Sequence, residues 1–415
     1  MKEYAGRVLM LLEHHFPQDP RVGNEAYTLT EKGYEVIVIA VGQHGERFAE
    51  EVNGVRVYRI PKLTLFNKAY KANSSLVRKM IMSMKSRAGF VVEHTYFTLS
   101  CIILTLYILA KDGFDAIHAH NPPDTLFVVG ALGKVLGKKF IFDHHDLSPE
   151  LYLSRFGKDG GIIYRILLVA EKLSLKLSDL VIATNESYKE VEIKRGNVKP
   201  ERVFVVRNGP NLNRVRLVSP DERLKMMGKK ILGYVGVMGP QDGVDYLLRA
   251  IKHLLYDLKR DDFYCVIIGS GDSFEDLKGM ASELGIQGHV WFTGFVSDED
   301  MLRYLSTADI CVDPDPSSPL NDKSTWIKVM EYMALGKPIV SFDLKETRYT
   351  AQAAAIYVPP NDEMEFAKAI AGLMDDPAQR ERMGAFGQRR IREELAWEFV
   401  SNNLIAAYGS IFRKS

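Results

Sequence analysis

Short apolar segments alternate with amphipathic helical segments along this chain, and the alternation runs twice. In the first half, residues 7–13, 35–41 and 116–120 have the continuous apolar character of buried strands. After a polar stretch at residues 208–230, the same alternation restarts. Strands separated by helices predict parallel sheets with right-handed crossovers. We therefore expect an α/β fold of two Rossmann-like, doubly wound domains that hold a ligand in a central cleft.

The domain boundary is predicted at the start of the polar stretch. Residues 1–208 form the first domain and residues 209–392 the second. A chain of 415 residues is long enough for two domains with full cores. No G-x-G-x-x-G motif follows the first strand, which argues against an NAD-dependent oxidoreductase.

Composition excludes several classes of protein. The chain has 54 basic and 53 acidic residues, a balance that does not favour nucleic acid as a partner. Cys101, Cys265 and Cys311 are far apart and odd in number, which fits neither a disulfide framework nor a metal cluster. Reduced cysteines and the lack of a signal-peptide pattern predict a cytoplasmic protein. The longest apolar run, residues 97–110, is too short to span a bilayer and is expected to form a core helix.

Residues 62–87 form a basic segment without an acidic residue, in which aliphatic and aromatic side chains are interleaved. Its basic residues are Lys62, Lys68, Lys71, Arg78, Lys79, Lys85 and Arg87. A segment of this kind can lie on an anionic membrane surface, which predicts peripheral attachment. The alternative is a helix with a buried apolar stripe and a solvated basic face.

Titratable side chains gather at the predicted carboxyl ends of strands in the first half. His14 and His15 follow the first strand, His120 ends another, and residues 143–146 (Asp-His-His-Asp) end the next. Ligands bind at this edge of open α/β sheets. A single histidine there is more often structural, but three strand ends with such groups indicate a functional site.

Residues 317–336 predict a loop and then a helix that begins near Ser324. Ser324 and Thr325 are suitable N-caps, and Gly336 is suited to the position after the last turn. Lys328 and Glu331 fall on the face opposite an apolar stripe, which comprises Trp326, Val329, Met330 and Met333. The positive end of a helix stabilises an anion, so an anion site is one interpretation. An ordinary amphipathic helix with a solvated polar face is the other.

Several segments, in their order along the chain, resemble the retaining GT-B glycosyltransferases of the family-4 type. They are residues 16–40, 116–126 and 142–150 in the first half and residues 234–251, 267–285, 290–314 and 328–343 in the second. The resemblance covers residues 7–408. It implies the GT-B fold, a nucleotide-sugar donor, and neither a metal nor another cofactor. Residues 393–415 look like the C-terminal helix that packs back on the first domain in this family.

The resemblance also implies roles for individual residues. Glu331 matches the glutamate that accepts hydrogen bonds from the donor ribose, which suits an acceptor-only carboxylate. Phe295 and Val296 match the turn that recognises the nucleobase, and His120 matches a histidine beside the donor sugar. Residues 236–239 match the glycine turn approached by the diphosphate. The predicted donor site comprises Gly236, Gly239, Phe295, Val296, Ser324, Thr325, Glu331 and Asn208.

This chain departs from the family at the diphosphate site. The family often has cations at the positions of Val237 and Asp242, and a glutamate at the position of Lys323. We hypothesise that the missing charge is relocated to Lys323 or Lys328, near the start of the helix. Fixed cations there would stabilise the leaving diphosphate.

Asp19 and Arg21 replace the glycine-rich acceptor loop of many relatives. Asp19 is predicted to bind or deprotonate the acceptor hydroxyl, and Arg21 to approach an acceptor or donor phosphate. With Asp143 and His145, Arg21 makes up the predicted acceptor site, while His120, Lys328, Lys323 and Asp19 make up the predicted catalytic set. The alternative for Asp19 and Arg21 is a helix N-cap with a charge pair.

The combined prediction is a cytoplasmic, metal-independent hexosyltransferase that retains anomeric configuration. Its donor is expected to be a UDP-sugar, and its acceptor a hydroxyl group on a glycan or lipid-linked compound at the inner face of the membrane. Polysaccharide or glycan assembly is the expected setting. Two alternatives remain: a nucleotide-sugar epimerase on the same fold, and a non-catalytic nucleotide-sugar-binding protein.

Overall fold

A computed structural model describes residues 5–63, 76–157 and 161–412, and the side chains of all of these except residues 76–87. The chain divides into two compact units. Unit 1 comprises Met1–Asn208 and Val400–Ser415, and unit 2 comprises Gly209–Phe399. Most of the basic segment predicted at residues 62–87 lies outside the described residues or has undescribed side chains, so its amphipathic face stays a prediction.

Unit 1 is built on an eight-stranded sheet. Its strands are β1 (Gly6–Leu12), β2 (Tyr34–Gly42), β3 (Ala49–Val52), β4 (Val55–Pro61), β5 (Ala116–His120), β6 (Lys139–His144), β7 (Leu180–Ala183) and β8 (Val203–Val205). Its helices are α1 (Pro20–Glu31), α2 (Leu76–Lys111), α3 (Phe127–Val135), α4 (Ser148–Phe156), α5 (Gly161–Leu177) and α6 (Glu186–Lys194).

The strand order in unit 1 is β3-β4-β2-β1-β5-β6-β7-β8. All neighbouring strands are parallel except β3 and β4, which form an antiparallel hairpin at one edge. The sequence prediction missed β3. The hairpin turn is Asn53–Gly54, and both residues have positive φ, as a two-residue hairpin loop of this type requires.

Helix α1 begins four residues earlier than Asn24, where the sequence pattern placed it. Asp19 is its N-cap, and an Asp19 carboxylate oxygen accepts a hydrogen bond from the backbone N–H of Val22 at 3.0 Å. Pro20 suits the first helical position because its fixed φ is already helical. The N-cap alternative for Asp19 is therefore the arrangement found.

Helix α2 is longer and more exposed than the core helix predicted at residues 97–110. Its buried face includes Phe97, Cys101 and Ile108, while Leu99 and Ile103 on the other face are exposed. Among the described residues, the part Ala88–Lys111 is long and apolar enough to cross a membrane, and only 28% of its most apolar window is buried. The prediction of a core helix failed because apolar residues occur on all sides of α2, so the apolar run does not identify which face is buried.

Unit 2 contains a six-stranded, fully parallel sheet. Its strands are β9 (Lys230–Val235), β10 (Phe263–Ile268), β11 (Val290–Gly294), β12 (Ile310–Asp313), β13 (Ile339–Phe342) and β14 (Ala355–Val358). Its helices are α7 (Glu222–Met226), α8 (Val244–Lys252), α9 (Phe274–Glu283), α10 (Asp298–Thr307), α11 (Ile327–Ala334), α12 (Lys345–Ala351), α13 (Glu363–Asp375) and α14 (Pro377–Arg390). The last helix, α15 (Trp397–Phe412), starts in unit 2 and enters unit 1 at Val400.

The strand order in unit 2 is β11-β10-β9-β12-β13-β14. The order reverses at β9, where crossovers pass to opposite sides, so this sheet is doubly wound. The apolar face predicted for α8 is buried in the core below it, with Val244, Leu247, Leu248 and Ile251 at 1% exposure or less. The predicted α/β class with two Rossmann-like sheets is confirmed.

Helix α11 begins at Ile327, three residues later than predicted. The hydroxyl of Ser324 donates to the carbonyl of Leu320 at 2.9 Å, and the hydroxyl of Thr325 donates to Glu346 at 3.4 Å. The N-cap position is Trp326, whose side chain makes no capping hydrogen bond. A separate 3-10 turn occupies Asn321–Lys323.

The predicted polar face of α11 is not solvated. Lys328 and Glu331 are both buried, because charged partners from other elements of unit 2 cover this face. The end of the helix follows the prediction: Gly336 has φ of 65°, and the N–H of Lys337 bonds the carbonyl of Tyr332 at 2.9 Å.

Candidate active site

The carboxyl ends of β5 and β6 in unit 1 bring several predicted site residues together. His120 ends β5, Asp143 lies beside it on β6, and His145 follows β6. Nδ1 of His120 lies 3.2 Å from a carboxylate oxygen of Asp143 and 3.1 Å from Nε2 of His145. Nε2 of His145 lies 2.9 Å from that same oxygen.

Arg21, in the first turn of α1, is the buried cation of this cluster. Its Nη2 donates to Asp143 at 2.8 Å, and its Nε donates to Nε2 of His145 at 2.9 Å. Its Nη1 donates to the carbonyl of Val206 at 2.8 Å and to the side-chain oxygen of Asn208 at 2.5 Å. A phosphate would have to compete with these internal partners for Arg21. Asn208, which the sequence grouped with the donor residues, lies in unit 1 beside Arg21.

The charges of the cluster follow from burial and from Arg21. Burial would raise the pKa of Asp143, but the Arg21 guanidinium outweighs burial and holds that pKa well below its usual range. Burial and then the Asp143 carboxylate raise the pKa of Glu25, on the next turn of α1, well above its usual value. Burial and then His118 lower the pKa of His120. The cluster is therefore an Arg21–Asp143 ion pair, beside which burial favours the protonated form of Glu25 and the neutral forms of His118 and His120.

His120 has one ring nitrogen available for chemistry. Its Nε2 is buried and has no hydrogen-bond partner among the described residues. A neutral imidazole can accept or donate one hydrogen bond at this atom, according to its tautomer. A substrate hydroxyl group would reach this buried atom only after neighbouring side chains move.

The same cluster has the donor atoms of a metal site. Ligand atoms of Glu25, His118, His120 and Asp143 lie within 4.8 Å of one another. However, Arg21 lies 3.1 Å from Glu25 and 2.8 Å from Asp143, so a cation already faces both carboxylates. A metal ion would have to displace the guanidinium, and we interpret the cluster as an ion-pair network.

Two adjoining cavities flank α2 in unit 1. One, of about 340 Å³, opens at the carboxyl ends of β1, β2 and β4 and is lined by His14, His15 and Lys62. The other, of about 200 Å³, is lined by aromatic and basic side chains that include Tyr152 and Arg155. Glu93 and His94 of α2 line both. Asp19 lies near this region, with a carboxylate oxygen 3.9 Å from Nδ1 of His14.

In unit 2, two glycine turns meet at the carboxyl ends of β9 and β10. The N–H of Gly236 bonds the carbonyl of Ile268 at 3.1 Å, and a Cβ on Gly269 would lie 2.0 Å from the carbonyl oxygen of Gly236. Only glycine permits this approach. The N–H of Gly239 donates to Asp242 at 2.8 Å, so the aspartate that replaces the family's cation is bound to the turn.

Glu331, on α11, is held by Arg214. Nη2 of Arg214 donates to Glu331 at 2.5 Å, and Nη1 donates to Asp298 at 3.0 Å. Asp298 is the first residue of α10, directly after the turn that contains Phe295 and Val296. Burial raises the pKa of Glu331, and Arg214 opposes that effect. Phe295 is 92% exposed, which leaves its ring and its backbone open to a ligand.

Helix α11 is joined to the glycine turns. The hydroxyl of Tyr332 accepts a hydrogen bond from the N–H of Val235 at 2.9 Å, and the N–H of Gly269 bonds the carbonyl of Gly294 at 3.1 Å. Unit 2 therefore brings together the predicted donor residues Gly236, Gly239, Phe295, Val296 and Glu331.

Lys328 forms ion pairs with two aspartates. Its Nζ lies 2.5 Å from Asp315 and 3.4 Å from Asp313, both at the carboxyl end of β12, and 5.0 Å from the centre of the Tyr234 ring. Burial would lower the pKa of Lys328, but Asp315 and its neighbours outweigh burial and raise it. The relocated cation is thus charged, but it is already neutralised by carboxylates. Lys323 donates to the carbonyl of Pro319 at 2.9 Å.

The sequence prediction missed five residues of these two clusters. They are Glu25, His118, Arg214, Asp313 and Asp315. Available signals were the i,i+4 spacing of Arg21 and Glu25 and the i,i+2 spacing of His118 and His120, which put each pair on one face. Arg214 carries no local signal of this kind, because its partners Asp298 and Glu331 are 84 and 117 positions away in the sequence.

Two family models match this chain in succession. The model described as Glycosyltransferase Family 4 matches residues 21–214, and the model described as Glycosyl transferases group 1 matches residues 218–390. An uncharacterized glycosyltransferase of Methanocaldococcus jannaschii is 25% identical over 393 residues, which cover 92% of this chain and 90% of that protein.

Solved structures share the fold over nearly the whole chain. Sucrose-phosphate synthase from Thermosynechococcus elongatus has a TM-score of 0.74 at 20% identity and covers 98% of this chain and 99% of its own. Anabaena HepE in complex with UDP-glucose has a TM-score of 0.70 at 16% identity, with 98% and 100% covered. The order of both family models along one chain, the two parallel-sheet units and these neighbours confirm the resemblance found in the sequence. The chain belongs to the family-4-type glycosyltransferases of the GT-B fold.

Proposed function

We propose that this glycosyltransferase uses a nucleotide-sugar donor, preferably a UDP-sugar, and transfers a hexose to a hydroxyl acceptor with retention of anomeric configuration. The observation that carries the proposal is the position of Glu331. This buried carboxylate is bound by Arg214, which also binds Asp298 just after the turn of Phe295 and Val296, and the next residue, Tyr332, bonds Val235 just before the Gly236 turn. A carboxylate accepts hydrogen bonds from a ribose diol, and glycine turns admit a diphosphate to the backbone.

The chemistry needs no metal in this proposal. The bond between the anomeric carbon and the diphosphate oxygen breaks, and a bond from the acceptor oxygen to that carbon forms on the same face. The acceptor proton passes to the leaving phosphate oxygen, so positioning supplies most of the rate. Nε2 of His120 would bind a hydroxyl group of a substrate, and Arg21, Asp143 and His145 would fix the orientation of His120 from within unit 1.

Lys323 and Lys328 would supply the positive charge that Val237 and Asp242 do not. Lys328 carries a charge, and a diphosphate would have to compete with Asp315 and Asp313 for it. Lys328→Ala and Lys323→Ala remove the two charges, and a melting curve checks that Lys328→Ala, which leaves two buried aspartates without their cation, still folds. Lower turnover with donor affinity retained is the expected result. Turnover near wild type in both variants would contradict the relocation.

The acceptor in this proposal is a glycan or a lipid-linked compound, used in polysaccharide or glycan assembly. The two cavities beside α2 support an acceptor site in unit 1, because their aromatic and titratable side chains suit a sugar ring and its hydroxyl groups. The basic residues 62–87 favour a cytoplasmic enzyme that works at the inner, anionic face of a membrane.

The proposal is tested by a thermal-shift screen of UDP-, GDP-, ADP- and dTDP-sugars, followed by product analysis with glycan and lipid-linked acceptors. A donor that binds only the folded state raises the apparent melting temperature. We expect a UDP-sugar to give the largest shift and its sugar to appear on an acceptor with unchanged anomeric configuration. Conversion to an epimer without an acceptor, or donor binding without transfer to any acceptor, would contradict the proposal.

A further inference from the structure

Helices α2, α3 and α5 of unit 1 share an exposed aliphatic face. Leu99 and Ile103 on α2 are 55% and 68% exposed, Val135 on α3 is 85% exposed, and Ile162 on α5 is 75% exposed. Helix α3 contacts both α2 and α5, so the exposed side chains belong to one surface. The other exposed aliphatic residues of this surface are Val91, Val92, Leu106, Val128, Leu136, Ile166 and Val169. An apolar patch of this extent indicates an interaction surface.

The fully exposed charges of this surface are positive, whereas Glu93 on α2 is partly exposed and Asp179 pairs with Lys134 at 2.6 Å. The exposed positions of α2 from Ala88 onward, of α3 and of α5 hold no carboxylate. Exposed cations accompany the aliphatic residues, namely Lys111, Lys134, Arg165, Lys172 and Lys176. In addition, residues 62–87, which include seven basic residues and no acidic residue, directly precede this part of α2 in the sequence. An apolar centre with a cationic border is complementary to an anionic bilayer, whereas two copies of this surface would bring like charges together.

Helix α2 is fixed to unit 1 by its other face, which argues against a membrane-spanning position. Phe97, Cys101 and Ile108 are buried in the unit. The hydroxyl groups of Thr98 and Thr125 are 2.7 Å apart, and Tyr96 donates to the carbonyl of Pro61 at 3.1 Å. A spanning helix would have to break these contacts, but a helix that lies in the interface keeps them.

We propose that the exposed face of α2, α3 and α5 inserts into the headgroup region of an anionic membrane, as a hydrophobic docking surface distinct from electrostatic attraction by residues 62–87. The cations bring the surface to the membrane, and the aliphatic side chains then hold it there. Attraction between charges is screened by salt, but burial of aliphatic side chains is not. The proposal therefore predicts a component of membrane binding that resists salt.

The test is flotation of the full chain with vesicles of phosphatidylcholine alone or of phosphatidylcholine with phosphatidylglycerol, at low salt and at about 0.5 M salt, where charges are strongly screened. The test variant carries Ile103→Gln, Val135→Gln and Ile166→Gln, one exposed position on each helix. The matched control carries Leu217→Gln, Met226→Gln and Met227→Gln, three exposed apolar positions in unit 2. Because all six side chains are exposed, both variants are expected to fold.

We expect the wild-type protein and the control to float with anionic vesicles and to retain measurable binding in high salt. In high salt, the test variant should bind anionic vesicles at least about tenfold more weakly than the wild-type protein does. Failure of the wild type to float, complete loss of its binding in salt, or equal binding by the test variant would overturn the proposal. A wild-type dimer in light scattering that the test variant abolishes, without vesicle binding, would assign the surface to self-association instead and would also overturn it.

Discussion

The Arg214–Glu331 ion pair sets the charge of the proposed ribose ligand. Burial raises the pKa of Glu331, and Arg214 is the group that opposes the rise. If an ionised Glu331 grips the ribose, removal of Arg214 weakens nucleotide binding. We predict that Arg214→Ala lowers UDP affinity about tenfold at neutral pH, because Arg214 favours the ionised form of Glu331 that accepts hydrogen bonds from the ribose. The loss should shrink as pH rises, because high pH restores the carboxylate.

Isothermal titration calorimetry of UDP across pH measures this effect. Arg303→Ala is the matched control, since it removes an arginine paired with Glu299 on the surface of α10. The control should bind UDP like wild type. Tighter binding by Arg214→Ala would show that Arg214 competes with the nucleotide for Glu331, which contradicts the supporting role.

Glu25 gives unit 1 a pH dependence of its own. Its folded-state pKa is raised, first by burial and then by Asp143, so the folded protein keeps a proton that the unfolded chain releases. Stability linked to Glu25 is therefore fully present below its usual pKa and is lost as pH rises towards the raised value. Glu25→Gln keeps a neutral side chain of the same shape and removes this loss. We predict that the melting temperature of Glu25→Gln gains on wild type as pH rises from about 5 to about 8.

Melting curves of the two proteins over this pH range provide the measurement. Glu283→Gln, at an exposed position of α9, is the control and should show a constant difference from wild type. A constant difference for Glu25→Gln as well would mean that Glu25 is ionised in the folded protein. Asp143 has the opposite sign: its lowered pKa stabilises the fold above its usual pKa, and that contribution is lost only in acid.

The two glycine turns that follow β9 and β10 determine the shape of the proposed diphosphate site. Gly269 has φ of 122°, and any Cβ there would lie 2.0 Å from the carbonyl oxygen of Gly236. We predict that Gly269→Ala costs about 3 kcal/mol or more in stability, because backbone atoms must move. Gly279→Ala is the matched control: it lies within α9, with nothing within 4 Å of its Cβ position, and should stabilise by about 0.5–1 kcal/mol. Chemical denaturation measures both, and a Gly269→Ala protein as stable as wild type would contradict the close packing of the turns.

The first residues of helices were harder to predict from the sequence than the helices themselves. Apolar spacing located α11 and its end at Gly336, because the period and the left-handed glycine are local signals. It misplaced the start, because Ser324 and Thr325 have suitable hydroxyls that bind elsewhere in the fold. For α1, the Asp19-Pro20 signal was present, but the sequence prediction placed residues 14–23 in a loop.

At the scale of the whole molecule, the two-unit α/β architecture was predictable because apolar periodicity and turn residues repeat along the chain. The positions of His120 and Asp143 at the carboxyl ends of β5 and β6 followed from that architecture. The partners of the site residues could not be predicted in this way. Arg214 reaches Glu331 across 117 positions, and the partners of Lys328 are two aspartates at the end of β12 and just after it. The exposed face of α2 was also missed, because an apolar run by itself does not say which side is covered.

Glu331 is the residue proposed to bind the ribose of a nucleotide. The most direct measurement compares UDP with 2′,3′-dideoxy-UDP by calorimetry, in wild type and in Glu331→Ala. Hydrogen bonds to a charged group contribute about 1.5–3 kcal/mol, so loss of both hydroxyls should weaken wild-type binding at least about tenfold. In Glu331→Ala the two ligands should bind almost equally, because the partner of the hydroxyls is gone. The same loss of affinity in both proteins would contradict the assignment of Glu331 to the ribose.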